Sequence, residues 1–178
     1  MKKFVPEIVI AKQNYCVPAT MQMVLEHFGI LGYTQDIIAE QLVIVSDNDN
    51  INHTKWGTQI KSDTLNDFFK KNQIKLHERY VHISNFMDDY FLGEEILELL
   101  KENKVIICGY NYTWLYSNCE DSYRHVSIIV DFDPIADTVV LLDPGPREYG
   151  YKKVKLDRLY VSIKAANDGL WCIEKMKL

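Results

Sequence analysis

Apolar residues in the first third of the chain recur every three or four positions, a spacing that places their side chains on one face of a helix. The clearest run extends from Met21 to Phe28, and Gly29 follows it as a natural helix stop. Pro18 lies where a first-turn proline is tolerated. The pattern therefore predicts a helix from about residue 17 to about residue 28, with Cys16 at its N-terminus.

Three further helices are predicted from the same spacing. One begins at Thr34 as its cap, one follows Ser62, and one covers roughly residues 93 to 103. The inward-facing positions of the first two are Ile37, Ile38 and Leu42, and Leu65, Phe68 and Phe69. Residues 46 to 60 are polar, which predicts a loop between these two helices.

The second half of the chain changes to short apolar runs rich in β-branched residues, which are typical of buried strands. Strong runs lie at residues 105–110, 126–130 and 138–142, and weaker ones at 151–156 and 170–174. Residues 131–137 contain Pro134 and predict the turn between the second and third strong runs. The last two strong runs therefore form an antiparallel hairpin.

The composition is that of an ordinary globular protein. Hydrophobic residues make up 47% and charged residues 25% of the 178 residues, which is enough for one domain with a substantial core. Because helices come first and strands later, we expect an α+β fold. A single domain should span residues 1–178, with a helical part over about residues 1–103 and a sheet part over about residues 104–178.

Charge and hydropathy exclude several partners. The net charge of -5 argues against a nucleic-acid partner. Neither a signal peptide nor a membrane span is recognisable, so we expect no membrane partner and a cytoplasmic location. The acidic patch formed by Asp88, Asp89, Glu94 and Glu95 has no metal-ligand spacing. We therefore predict no metal and no cofactor; the oligomeric state stays open.

The four cysteines lie far apart and form no Cys-x-x-Cys pair, which excludes a zinc knuckle and a redox pair. Cys108 and Cys172 lie in predicted strands, where core packing explains them, and Cys119 lies in a polar segment where we expect it to be exposed. Cys16 differs, because a helix N-terminus favours the thiolate, which is the nucleophilic form.

A thiolate is also favoured by a nearby imidazole that can hold the proton. His125 opens a predicted buried strand, and Asp143 ends the neighbouring strand just before Pro144. In an antiparallel hairpin, the sequence numbers of any two paired residues add up to the same value. A turn centred near residue 134 or 135 makes that value 268 or 270. The first sum places His125 opposite Asp143, and the second makes them diagonal neighbours on one face. An odd sum would separate them onto opposite faces.

Three segments resemble the bacteriocin-processing (double-glycine leader) peptidase-like family of papain-like cysteine peptidases. Residues 13–19, with the helix ending in His27-Phe28-Gly29, are similar to the family's nucleophile segment. Residues 124–131 resemble its histidine strand, and residues 142–145 its aspartate segment. They occur in the family's order and span most of the chain. Val17 stands where the family commonly has glycine, and Tyr15 where aspartate is frequent.

The resemblance implies a papain-like fold in which the cysteine helix packs against the sheet that carries the histidine. It implies acyl-cysteine chemistry on a peptide or small amide substrate, with Cys16 as nucleophile, His125 as base and Asp143 orienting that base. It also implies an oxyanion-stabilising glutamine, for which Gln13 is the candidate, although it lies only three residues before Cys16. An acyltransferase on the same scaffold and a non-catalytic binding protein remain alternatives.

Overall fold

The computed structural model describes residues 7–45, 58, 60–116, 123–146 and 148–176. Six strands are present in these ranges: β1 (Leu76–His82), β2 (Val105–Asn111), β3 (Arg124–Asp133), β4 (Thr138–Asp143), β5 (Gly150–Lys155) and β6 (Gly169–Lys175). They form one antiparallel sheet with the spatial order β1-β6-β2-β3-β4-β5. The residues that end β2 and begin β3 therefore lie side by side.

Six α-helices accompany the sheet in the described part of the chain: α1 (Cys16–His27), α2 (Gln35–Val45), α3 (Thr64–Lys71), α4 (Asp89–Lys101), α5 (Tyr112–Tyr116) and α6 (Leu156–Ala166). Thr34 caps α2 by accepting the Ile37 N–H on its hydroxyl at 3.4 Å. Asp88 caps α4 by accepting the Phe91 N–H at 3.3 Å, so this helix begins earlier than the sequence predicted.

Helices cover both faces of the sheet. On one face, α1, α2 and α3 bury apolar side chains such as Met21, Leu42 and Phe68. On the other face, α4 and α6 do the same with side chains such as Ile96 and Leu159. The central strand β2 is consequently buried at every position, which explains its continuous apolar sequence. The predicted α+β class is confirmed.

Two elements of the sheet layer were not predicted. Strand β1 lies in the half of the chain expected to be helical, and helix α6 lies in the half expected to form strands. The alternation of apolar and polar residues that marks a strand is hard to recognise in β1, because the charged residue Glu78 occupies a buried position. The polar loop predicted for residues 46–60 falls largely outside the described residues, as does Cys119.

A β-bulge sets the register of the β3–β4 hairpin. Near the turn, the sequence numbers of two paired residues add up to 271, as for Asp133 with Thr138. Beyond Val130, which has no paired residue on β4, they add up to 270, as for Ile128 with Leu142. The odd sum set by the turn would have separated His125 and Asp143. The bulge restores the even register, in which these two residues are diagonal neighbours.

Candidate active site

Cys16 is the first residue of α1, as the sequence predicted. The preceding turn is held by the Tyr15 N–H, which donates to the Lys12 carbonyl at 3.0 Å, while Asn14 adopts a positive φ of 65°. Within the helix, the Ala19 N–H donates to the Tyr15 carbonyl at 2.9 Å. The cysteine therefore lies at the positive end of the helix dipole.

Two contacts fix the segment that leads into this helix. The Ala11 N–H donates to the Pro144 carbonyl at 2.8 Å, which joins the segment to the residue that follows Asp143. The Gln35 side chain accepts from the Lys12 N–H at 3.0 Å and donates to the Ile10 carbonyl at 2.9 Å. The start of α1 is thereby held against the end of the sheet.

His125 is buried on β3, and its imidazole contacts Asp143. Nε2 of His125 lies 2.8 Å from Oδ1 of Asp143, which is itself buried at the end of β4. The same Oδ1 accepts the Gly145 N–H at 2.8 Å. The predicted His125–Asp143 contact is therefore present, and the backbone after the strand helps to hold the carboxylate.

Three tyrosine rings enclose the imidazole of His125, and the sequence analysis did not identify them. Tyr110 and Tyr112 contact it edge-on, with ring centroids 5.6 and 5.3 Å away, and Tyr123 stacks at 6.3 Å. Tyr110 stands directly opposite His125 on the adjacent strand β2. Only the β2–β3 register could have indicated this contact. Helix α5 and residues 117–122 lie between the two strands, so no short turn fixes that register from the sequence.

Cys16 and His125 are coupled electrostatically. Burial alone would raise the pKa of the Cys16 thiol, but the adjacent imidazole of His125 and its charge, with the backbone N–H groups of Val126 and Val17, outweigh it and lower that pKa. Burial would lower the pKa of His125, but Asp143 and Cys16 raise it to about 9. The two directions favour a thiolate–imidazolium pair near neutral pH.

The contact between these two side chains is looser than a full hydrogen bond. Nε2 of His125 is occupied by Asp143, so Nδ1 is the nitrogen left to face the thiol, and Nδ1 has no partner in strict hydrogen-bond geometry among the described residues. Such looseness is common in catalytic pairs before substrate binds. In the neutral form of the ring, Nε2 carries the proton that it donates to Asp143, which leaves Nδ1 to accept a proton from the thiol.

The other described cysteines have the opposite environment. Burial raises the pKa of Cys108 and raises that of Cys172 to about 12. Both thiols belong to the core cluster beneath α4 and α6, and their place in the core was predicted from the sequence. Cys16 is therefore the one thiol, among the three that the structure describes, whose surroundings favour the nucleophilic form.

Gln13 lies in the turn before α1 with its side chain exposed. Its role as an oxyanion donor stays a prediction. The backbone N–H of Cys16 begins the helix and is the other candidate donor.

Within the described ranges, no three metal-binding side chains come together, and no helix is long and apolar enough to cross a membrane. The candidate site thus consists of ionisable and aromatic side chains. Its chemistry is that of a thiol beside an imidazole, with a carboxylate behind the imidazole.

A solved structure is similar to this chain over almost its whole length. A crystal structure of a provisionally assigned C39-like peptidase from Bacillus anthracis aligns with 99% of this chain and 100% of its own, with a TM-score of 0.56 and 13% identity. At that identity the similarity shows the fold, which is papain-like, as the sequence predicted. No functionally curated protein matches the chain.

The model of the Peptidase_C39 like family matches residues 3–167, which is most of the chain. This supports the predicted resemblance at the level of C39-like cysteine peptidases, and not at the narrower level of bacteriocin processing. The matched range includes Cys16, His125 and Asp143. The chain therefore belongs to the C39-like peptidase family.

Proposed function

We propose that this protein is a cysteine peptidase that cleaves peptide bonds through an acyl-cysteine intermediate on Cys16. The observation that carries the proposal is the chain of contacts from Cys16 to His125 to Asp143, which favours the thiolate and the imidazolium together. Membership of the C39-like family supports the same reaction class.

The proposed first step forms the thioester. The Cys16 thiolate attacks the carbonyl carbon of the substrate, and the carbonyl π electrons move to oxygen. When this intermediate collapses, the C–N bond breaks and the departing amine takes the proton held by His125. The Cys16 N–H and the Gln13 amide are the proposed donors to the oxyanion.

The second step releases the acid. Water attacks the thioester carbonyl and gives its proton to His125, and the C–S bond then breaks to regenerate the thiolate. Asp143 accepts a hydrogen bond from Nε2 throughout, which keeps Nδ1 directed at the reacting atoms and stabilises the imidazolium. The three tyrosine rings around His125 limit the access of water to this hydrogen bond.

Alkylation of Cys16 by iodoacetamide, followed by peptide mass spectrometry across pH, tests the nucleophile. We expect labelling to persist well below the ordinary thiol pKa of about 8.5. An ordinary thiol profile would contradict the proposal and favour a binding protein on this scaffold.

Hydrolysis of a mixed peptide library tests the reaction, with Cys16→Ala as the matched inactive control. We expect cleavage that declines above about pH 9, because His125 then loses the proton that the leaving amine requires. Including peptides with a Gly-Gly site tests the narrower activity of leader processing. Transfer of the acyl group to an added amine, without hydrolysis, would favour an acyltransferase instead.

A further inference from the structure

Among the described residues, only one of the two carboxylate oxygens of Asp143 has hydrogen-bond partners. Oδ1 faces His125 Nε2 and accepts the Gly145 N–H, whereas Oδ2 is buried and accepts no hydrogen bond from a described residue. A buried carboxylate oxygen without a donor is costly. A donor for Oδ2 should therefore be found among the neighbouring side chains.

Tyr116 has a hydroxyl group that can donate the missing hydrogen bond. Its hydroxyl is buried and makes no hydrogen bond within the part of the chain that the structure describes. Its ring packs on Tyr112, with centroids 4.6 Å apart, and Tyr112 in turn contacts His125 at 5.3 Å. Tyr116 thus belongs to the aromatic layer around the imidazole.

The position of Lys152 places Tyr116 over the end of β4. The Lys152 ammonium lies 5.1 Å from the centroid of the Tyr116 ring. Lys152 stands opposite Leu141, and cross-strand partners share a face. Leu141 and Asp143 are two residues apart on β4 and also share that face. The phenol and the carboxylate therefore lie on the same side of the sheet, at the same end of one strand.

Two other polar side chains near Asp143 have hydrogen-bond partners of their own. The hydroxyl of Tyr110, from β2, lies 2.8 Å from Oγ of Ser127. His125, from β3, already uses Nε2 for Oδ1. Burial, followed by the negative charge of Asp143, raises the pKa of Tyr116 and outweighs the neighbouring Tyr110 hydroxyl, which lowers it, so the phenol keeps its proton and can act as a donor.

We propose that Tyr116 is a positioning residue, whose hydroxyl donates a hydrogen bond to Oδ2 of Asp143 and so holds Oδ1 toward His125. This inference rests on the proposed function, because it assigns Tyr116 a role through Asp143. Hydrogen bonds at such sites tighten when the reactive state forms. A tyrosine that only fills space would have no effect that depends on Asp143.

The test is a double-mutant cycle in which the rate of Cys16 alkylation by iodoacetamide is measured across pH. The quantity compared is the acid-side midpoint, the pH at which this rate falls to half of its maximum on the acid side. The variants are Tyr116→Phe, Asp143→Asn and the two together. Tyr160→Phe is the matched control, because Tyr160 lies on α6 and its hydroxyl donates to the Phe86 and Met87 carbonyls, outside the site. Circular dichroism confirms that each variant is folded.

We expect Tyr116→Phe to raise the acid-side midpoint by about one pH unit, as the loss of a hydrogen bond to a charged group implies. Added to Asp143→Asn, it should cause no further shift, and Tyr160→Phe should match the wild type. An unshifted Tyr116→Phe, or shifts that add in the double variant, overturns the inference alone. A wild-type midpoint near that of an ordinary thiol overturns the proposed function with it.

Discussion

Asp143 is the residue whose replacement tests how the three groups of the site depend on one another. Asp143→Asn keeps the size but can hold the wrong tautomer of His125, a change that lowers turnover roughly 10⁴-fold in serine proteases. We expect a smaller loss here, because the thiolate–imidazolium pair is favoured before substrate arrives. The measurement is the rate of Cys16 acylation by an activated acyl donor, with Cys16→Ala as the blank and circular dichroism as the folding control. Acylation at the wild-type rate would reduce the site to a Cys16–His125 dyad.

Gln13 is the second residue whose role can be measured directly. If its amide stabilises the oxyanion, Gln13→Ala should lower turnover by about 100- to 1000-fold while leaving Cys16 alkylation unchanged, because alkylation forms no oxyanion. Gln22→Ala on α1 is the matched control, since the Gln22 side chain donates to Glu26 within the helix. Unchanged peptide turnover in Gln13→Ala would remove Gln13 from the mechanism and leave the backbone N–H of Cys16 as the candidate donor.

At the scale of elements, β1 carries a carboxylate in an apolar layer. Burial, and then the charge of Asp63, raises the pKa of Glu78 from 4.5 to about 7. The folded protein therefore keeps this proton at pH values where the unfolded chain releases it. Between about pH 4.5 and 7 the contribution of Glu78 to stability falls as pH rises, and above pH 7 a penalty of about 3 kcal/mol remains.

Replacement of Glu78 should remove that penalty. We expect Glu78→Gln to raise the free energy of unfolding at pH 8 by up to about 3 kcal/mol and to change it little at pH 4.5. Urea unfolding at the two pH values measures the difference. Glu174→Gln on the neighbouring strand β6, where the side chain is 39% exposed, should change stability by less than about 0.5 kcal/mol. Equal effects of the two substitutions would contradict the assignment.

The pairing of β1 with β6 depends on a glycine. A Cβ at Gly169 would lie 2.2 Å from the Val81 carbonyl oxygen and 2.9 Å from the His82 Cα, so backbone would have to move. We expect Gly169→Ala to cost about 3 kcal/mol or more, the upper end for overpacked cores. Gly93→Ala is the control, because the Cβ there meets movable side chains of Leu156 and Phe132. Thermal unfolding should show a clearly larger loss for Gly169→Ala, and similar losses would refute the backbone collision.

At the scale of the whole molecule, the reactivity of Cys16 depends on packing between layers. The thiol comes from the helical layer and the imidazole from the sheet, so unfolding separates them. In native protein at pH 6 we expect iodoacetamide to label Cys16 much faster than Cys108 or Cys172. In 8 M urea all four cysteines should react alike, at the slow rate of an ordinary thiol. Retention of the Cys16 preference in urea would show that its reactivity is local to the helix terminus.

Much of the site could be predicted because its parts are local. The helix that begins at Cys16 follows from apolar spacing, a tolerated proline and a glycine stop. The strands that carry His125 and Asp143 follow from short β-branched runs. The edge strand β1 could not be recognised in the same way, because Glu78 occupies one of its buried positions. The Leu156, Leu159 and Ile163 spacing of α6 is that of a helix face, but it begins at the last residue of the strand predicted over 151–156.

The amino-acid sequence by itself determined most of the elements, the α+β class and the identity of the three candidate groups, since each depends on near neighbours in the chain. The contact between His125 and Asp143 was predicted correctly, but the turn alone would have produced the odd register that separates them. Only the tertiary structure decided the outcome, because the bulge at Val130 lets both strands keep their buried faces against the helical layers. The tyrosine enclosure of His125 was likewise decided by strand order, which brings the end of β2 beside the start of β3.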